Sequence, residues 1–159
     1  MAVQRWGEPR LTVDVDLAIL TGFGHEEMFL DPLLRRFRSR VERGKEFALQ
    51  NRVLLLESNG GFPIDVSLAA TDFEGRMLDR ASPYRFSEQT KIVTCGAEDL
   101  VVLKAFAGRE KDWLDVEGIV LRQGPSLDAG LIWRELEPLL ELKEDPAAAA
   151  RLRELLSPG

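Results

Sequence analysis

The sequence predicts an α+β fold, and three observations carry that prediction. Residues 13–19 and 62–69 alternate apolar and polar side chains at the period of a half-buried strand. Between them lies an unbroken apolar run, Val53-Leu54-Leu55-Leu56, of the kind that fills a buried strand. From residue 97 onward the apolar positions recur instead at helical spacing. Strands with interspersed helices therefore come first and an all-helical end follows, which implies one mixed sheet with flanking helices.

The elements follow in order. The first strand ends near Leu20, and Gly22-Phe23-Gly24 turns the chain into a helix expected over 25–41, with Phe29, Leu33 and Phe37 on its apolar side. Its basic run, Arg35, Arg36, Arg38 and Arg40, reads as a solvated helix face, with a phosphate-facing role as the other reading. A strand over 52–57 is followed by Asn59-Gly60, a strong hairpin signal, so the strand at 62–69 is antiparallel to it. Thr71-Asp72-Phe73-Glu74 is a capping box and opens a short helix to about Arg80, which Ser82-Pro83 stops. A strand over 90–94 leads to a helix from Ala97, with Glu98 and Asp99 where the helix dipole favours acids and Gly108 at its end. A helix over 112–123 closes at Gly124, and two more follow, the last starting at Pro146.

With 159 residues, the chain suits a single domain over 1–159, strand-bearing over 1–94 and helical over 97–159. No window approaches the roughly 20 apolar residues of a membrane span, and the first residues lack a signal-peptide core, so no membrane partner and a cytoplasmic location are expected. Cys95 is the only cysteine and His25 the only histidine, which excludes a disulfide framework, Cys and His-pair zinc sites and makes a Ser-His-Asp triad a poor reading. The net charge of −6 argues against a protein that coats nucleic acid nonspecifically.

The carboxylates carry the chemistry. Asp14 and Asp16 are two residues apart in a β-branched run and share a strand face, with Val13, Val15, Leu17 and Ile19 on the other. Asp65 is placed in the same way on a second strand, with Ser67, opposite Phe62, Ile64, Val66 and Leu68. One such face alone is also the pattern of a solvated strand. Three carboxylates gathered together repel unless a cation neutralises them, and oxygen ligands without His or Cys favour Mg²⁺ or Mn²⁺. Arg10 and Thr12 precede the pair and are placed to meet anionic substrate oxygens if it holds a metal. Lys104 is the only charge in the apolar run 100–107, so it either snorkels or meets an anion, which can be the carboxylate cluster or a bound phosphate. In the next segment, Arg109-Glu110-Lys111-Asp112, Arg109 is spaced to pair with Asp112, and Asp112 shares a helix face with Asp115. A surface ion-pair network and a binding loop both fit that pattern.

Taken in order, the run from Gly7-Glu8-Pro9-Arg10 through Asp14-Val15-Asp16-Leu17, the later Ile64-Asp65-Val66, and Glu98-Asp99-Leu100 through Lys104 to Arg109-Glu110-Lys111-Asp112 with Asp115 resemble the nucleotidyltransferase superfamily. Within it the likeness is to the small bacterial branch related to the AbiEii abortive-infection toxins, and it covers roughly residues 2–123. The resemblance implies a polymerase-β-like fold in which Asp14, Asp16 and Asp65 bind two Mg²⁺ ions and carry catalysis. The metals hold the triphosphate of an NTP, and the third carboxylate helps a hydroxyl acceptor on RNA, a protein or a small molecule to attack the α-phosphorus. Lys104, Lys111 and Asp112 become candidates for nucleotide contacts beside Arg10 and Thr12. A toxin role with a cognate antitoxin is implied in the same way. The family's Gly-Gly or Gly-Ser pair ahead of the Asp pair is missing, and alignment by eye puts its place just before Met1. The expectation is a chain that starts downstream of that pair; the alternative is a lost phosphate loop and an inactive protein that binds nucleotide or a partner. A metal-dependent nuclease or phosphohydrolase uses similar carboxylates and ranks behind both.

Overall fold

The structure, a computed structural model, describes residues 1–9 and 14–157. Its class is α+β, with one mixed sheet, a separate two-stranded sheet and a helical C-terminal end. The chain separates into two compact units, one formed by Met1 with Leu11–Asp79 and one by Ala2–Arg10 with Arg80–Gly159. Helix α1 (Ala2–Trp6) thus belongs to the second unit. The chain changes unit between Asp79 and Arg80.

The first unit is built on a four-stranded sheet. Strand β1 (Val15–Leu20) leads to helix α2 (Glu27–Arg36), strand β2 (Arg38–Ser39), helix α3 (Gly44–Asn51) and the hairpin of β3 (Val53–Glu57) with β4 (Pro63–Ala69), before helix α4 (Asp72–Asp79). The strand order is β1-β4-β3-β2, with β1 parallel to β4 and the other pairs antiparallel. A parallel pair cannot be joined by a tight turn, and the whole of α2, β2, α3 and β3 forms the connection. Leu30 of α2 and Ala48 of α3 pack on Leu54, Leu56, Val66 and Leu68, all buried, with Ile19, Leu33, Leu34, Phe37 and Ile64 around them. Alternation then sends Leu55, Asp65 and Ser67 to the opposite face.

Several local signals act where the sequence places them. Gly61 takes a positive φ of 79° in the β3–β4 turn, closed by its N–H to the Ser58 carbonyl at 2.9 Å. The capping box forms, with Glu74 N–H donating to Thr71 Oγ1 at 3.2 Å and Thr71 N–H to Glu74 Oε2 at 3.0 Å. The helix expected over 25–41 does not persist. It ends at Arg36 because Phe37 turns extended (φ −124°, ψ 149°) and the next two residues pair with β3, opposing Arg38 to Glu57 and Ser39 to Leu56. Phe62 and Leu17, expected on apolar faces, are 60% and 45% exposed. Phe62 lies just outside β4, and Leu17 is on the sheet's edge strand, so neither is enclosed from both sides.

In the second unit, β5 (Ser82–Arg85) and β6 (Lys91–Thr94) form an antiparallel hairpin. Helices α5 (Ala97–Ala107), α6 (Glu110–Gln123), α7 (Ala129–Lys143) and α8 (Pro146–Leu156) follow, with a single 3₁₀ turn at Gly124–Ser126. Leu100, Val101, Val102 and Ala105 of α5 are buried with Trp113, Val116 and Ile119 of α6, Ile132 and Leu136 of α7, and Leu152 of α8. Gly108 stops α5 in the left-handed conformation (φ 70°), its N–H on the Lys104 carbonyl at 3.0 Å. That reversal brings the last turn of α5 to the first turn of α6.

Candidate active site

The parallel β1–β4 register sets Asp16 directly beside Asp65. Both belong to the residue set that faces away from the α2–α3 core, because their neighbours Leu17 and Val66 pair on the core side. Neighbouring strands lie about 4.8 Å apart, so the two carboxylates repel unless a cation stands by. For Asp65 that cation is Arg40. Its backbone N–H donates to the Leu55 carbonyl at 3.0 Å, and Leu55 is the register partner of Asp65, so the guanidinium crosses β3 to reach the carboxylate on β4. Arg38 makes the parallel contact one step along, its guanidinium 2.5 Å from Glu57. Asp16 is exposed.

Asp14, the third member of the expected triad, lies half-buried in a bend just before β1. Among the described residues no three His, Cys, Asp or Glu side chains form a metal-holding group. The register brings Asp16 and Asp65 together, whereas Asp14 precedes the strand and has no register partner. Arg10 and Thr12 lie outside the described residues.

The second cluster lies in the other unit, at the α5–α6 reversal. Lys104 Nζ is 2.9 Å from Asp112 Oδ1 and 2.9 Å from Asp115 Oδ2. Arg109 Nε donates to Asp112 Oδ2 at 2.5 Å. Asp112 is fully buried and Asp115 nearly so, with the Lys104 side chain 18% exposed. Burial acts to lower the Lys104 pKa, but hydrogen bonds to Asp115 and Asp112 outweigh it and the pKa is raised. Burial likewise acts to raise Asp112, and Arg109 and Lys104 outweigh it, holding the carboxyl below its ordinary value. Two carboxylates of its own unit match the charge of Lys104. The spacing forecast the Arg109–Asp112 pair, but not the contacts of Lys104 with Asp112 and Asp115, and both acids are buried. Lys111 is exposed on the first turn of α6.

Ionic partnerships between remote residues escaped the sequence, those of Arg40 and Arg80 among them. In sequence Arg40 belongs to a basic helical run, and only its place at the sheet edge aims it at Asp65. Arg80 pairs with buried Asp99 at 2.6 Å and buried Glu135 at 3.1 Å, joining residues 19 and 55 positions away with no local pattern to announce it. No helix among the described residues is long and apolar enough to cross a membrane. No protein-family model matches the chain, and no curated protein matches it either.

Proposed function

We infer that this chain is a Mg²⁺-dependent nucleotidyltransferase that moves a nucleoside monophosphate from an NTP to a hydroxyl acceptor. The observation that carries the reading is the register of Asp16 with Asp65 on a parallel strand pair, in the motif order that resembles the superfamily. The donor set fits the metal: hard carboxylate oxygens on adjacent strands suit Mg²⁺ or Mn²⁺ and offer nothing to zinc. Asp16 and Asp65 would hold it, with Asp14 two residues before Asp16. When bound, the metal supplies Lewis-acid stabilisation of charge building on phosphoryl oxygens. The protein's own part is positioning. Asp65 is the carboxylate that takes the acceptor hydroxyl's proton, and Arg38 and Arg40 are cations of the same sheet face available to anionic oxygens.

The Lys104–Asp112–Asp115–Arg109 cluster then serves to fix the α5–α6 reversal rather than to titrate during reaction. A cytoplasmic setting, which supplies NTP and Mg²⁺, goes with this activity. RNA, a protein or a small molecule as acceptor, and a toxin role with a cognate antitoxin, belong to the same proposal.

The Arg40–Asp65 ion pair favours a second reading, a catalytically inactive scaffold of the same kind that binds nucleotide or a partner. Label transfer from α-labelled NTPs with Mg²⁺ to cellular RNA and protein separates the two. The transferase reading predicts transfer by the wild type and its loss in both Asp16→Asn and Asp65→Asn. A folded wild type that transfers nothing leaves the inactive scaffold.

A further inference from the structure

Asp65 is already neutralised by a cation of the chain, and the way that cation is mounted gives it a role. Arg40 follows the two-residue strand β2, which is pinned from both sides. Ser39 Oγ donates to the Val41 carbonyl at 2.8 Å, and Gly44 packs so closely on Ser39 that a Cβ there would come within 2.2 Å of its Oγ. The Arg40 backbone is tied to Leu55, and its side chain then spans one intervening strand to Asp65, at the reach of a guanidinium. Both side chains keep about a third of their surface in water, 29% for Arg40 and 33% for Asp65, so the pair is accessible to a competing ion. A divalent ion at Asp65 puts two positive charges where the guanidinium holds one. Whichever carboxylate oxygen the metal takes, Arg40 on the other stands a carboxylate's width away and repels it.

We propose that Arg40 is an exchangeable counter-cation of Asp65: it occupies the carboxylate in the metal-free protein, gives it up when a divalent metal binds, and so sets the metal affinity of the site. This rests on the metal reading of Asp16 and Asp65 made above. On release the Arg40 backbone stays tied to Leu55, which keeps the guanidinium on the same sheet face, where anionic substrate oxygens become its next partners.

The test is titration with Mn²⁺ alone, following the free-ion electron paramagnetic resonance signal, for wild type, Arg40→Gln, Arg40→Lys, Asp65→Asn and the Arg40→Gln/Asp65→Asn double variant, with circular dichroism to show each is folded. Exchange predicts that Arg40→Gln binds Mn²⁺ about threefold more tightly than wild type, the scale of a partly exposed charge pair. Arg40→Lys, which keeps the charge, stays near wild type, and on the Asp65→Asn background the Arg40 effect vanishes. Wild-type binding that is unchanged or weakened in Arg40→Gln overturns this inference and leaves the metal reading standing. Absence of Mn²⁺ binding in both wild type and Arg40→Gln overturns the metal reading itself, and the exchange with it.

Discussion

Asp112 has no exposed surface, yet it keeps its charge because Lys104 and Arg109 reach it from the preceding helix and turn. Asp112→Asn leaves Lys104 with Asp115 alone and returns the largely exposed Arg109 to water, so the loss is that of charge-assisted hydrogen bonds, about 2 kcal/mol. Asp112→Asn is therefore expected to lower stability in urea unfolding at neutral pH by that order. The pH dependence has a definite sign. The Asp112 pKa is lowered from 3.8 in the folded state, so its stabilisation is present above the unfolded value and is lost as pH falls through the folded one. The Lys104 pKa is raised from 10.5, so its stabilisation is complete below that value and is lost as pH rises through the folded one. Wild type should hold a plateau between those limbs, and Asp112→Asn should flatten the acid limb. An acid limb unchanged in the variant contradicts this assignment. At this scale the sequence was readable where partners are local: Arg109 with Asp112 is a helical i, i+3 pair. It was silent where they are remote, as with Arg40 and Asp65, because which strand lies beside which is decided by the assembled sheet.

The elements divide along the same line. The β3–β4 turn, the capping box of α4 and the Gly108 stop of α5 are written in residues whose own backbone preferences make them, and each forms at its place. Strand β2, helix α3 and strand β5 were not foreseen. β2 is two residues long and exists through pairing with β3, and β5 carries Pro83 in a two-stranded hairpin where both strands are edges. Helix α3 begins after Arg43 in a left-handed conformation (φ 51°), which no cap in the sequence announces. The contact between α3 and β2 is tight, since a Cβ at Gly44 would approach Ser39 Cβ to 2.8 Å as well as its Oγ. Gly44→Ala must shift one element or the other, and a destabilisation of about 1–3 kcal/mol is expected from such overpacking. Thermal unfolding measures it. A variant as stable as wild type means that β2 yields freely, which removes the rigid mount assigned to Arg40.

Over the whole chain, the order of strands before helices and the α+β class were legible because hydrophobic period alone separates the two halves. The division into units was not, since residues 2–10 group with the helical part through contacts such as Arg122 with the Gly7 carbonyl at 2.6 Å and Gln123 with the Trp6 carbonyl at 2.7 Å. With a net charge of −6, the chain as a whole repels a nucleoside triphosphate, so any attraction must be local. Among the described residues Arg38 and Arg40 supply it on the sheet face opposite the core, and a metal held by Asp16 and Asp65 would add to it. The central claim is that these two carboxylates form one metal site, and the position of a bound ion tests it most directly. Crystals of the protein soaked with Mn²⁺ and a non-hydrolysable NTP analogue should give an anomalous peak within coordination distance of Asp16 and Asp65, with Arg40 withdrawn from Asp65. A Mn²⁺-nucleotide complex bound elsewhere, or no peak at this pair with Arg40 still on Asp65, contradicts the account.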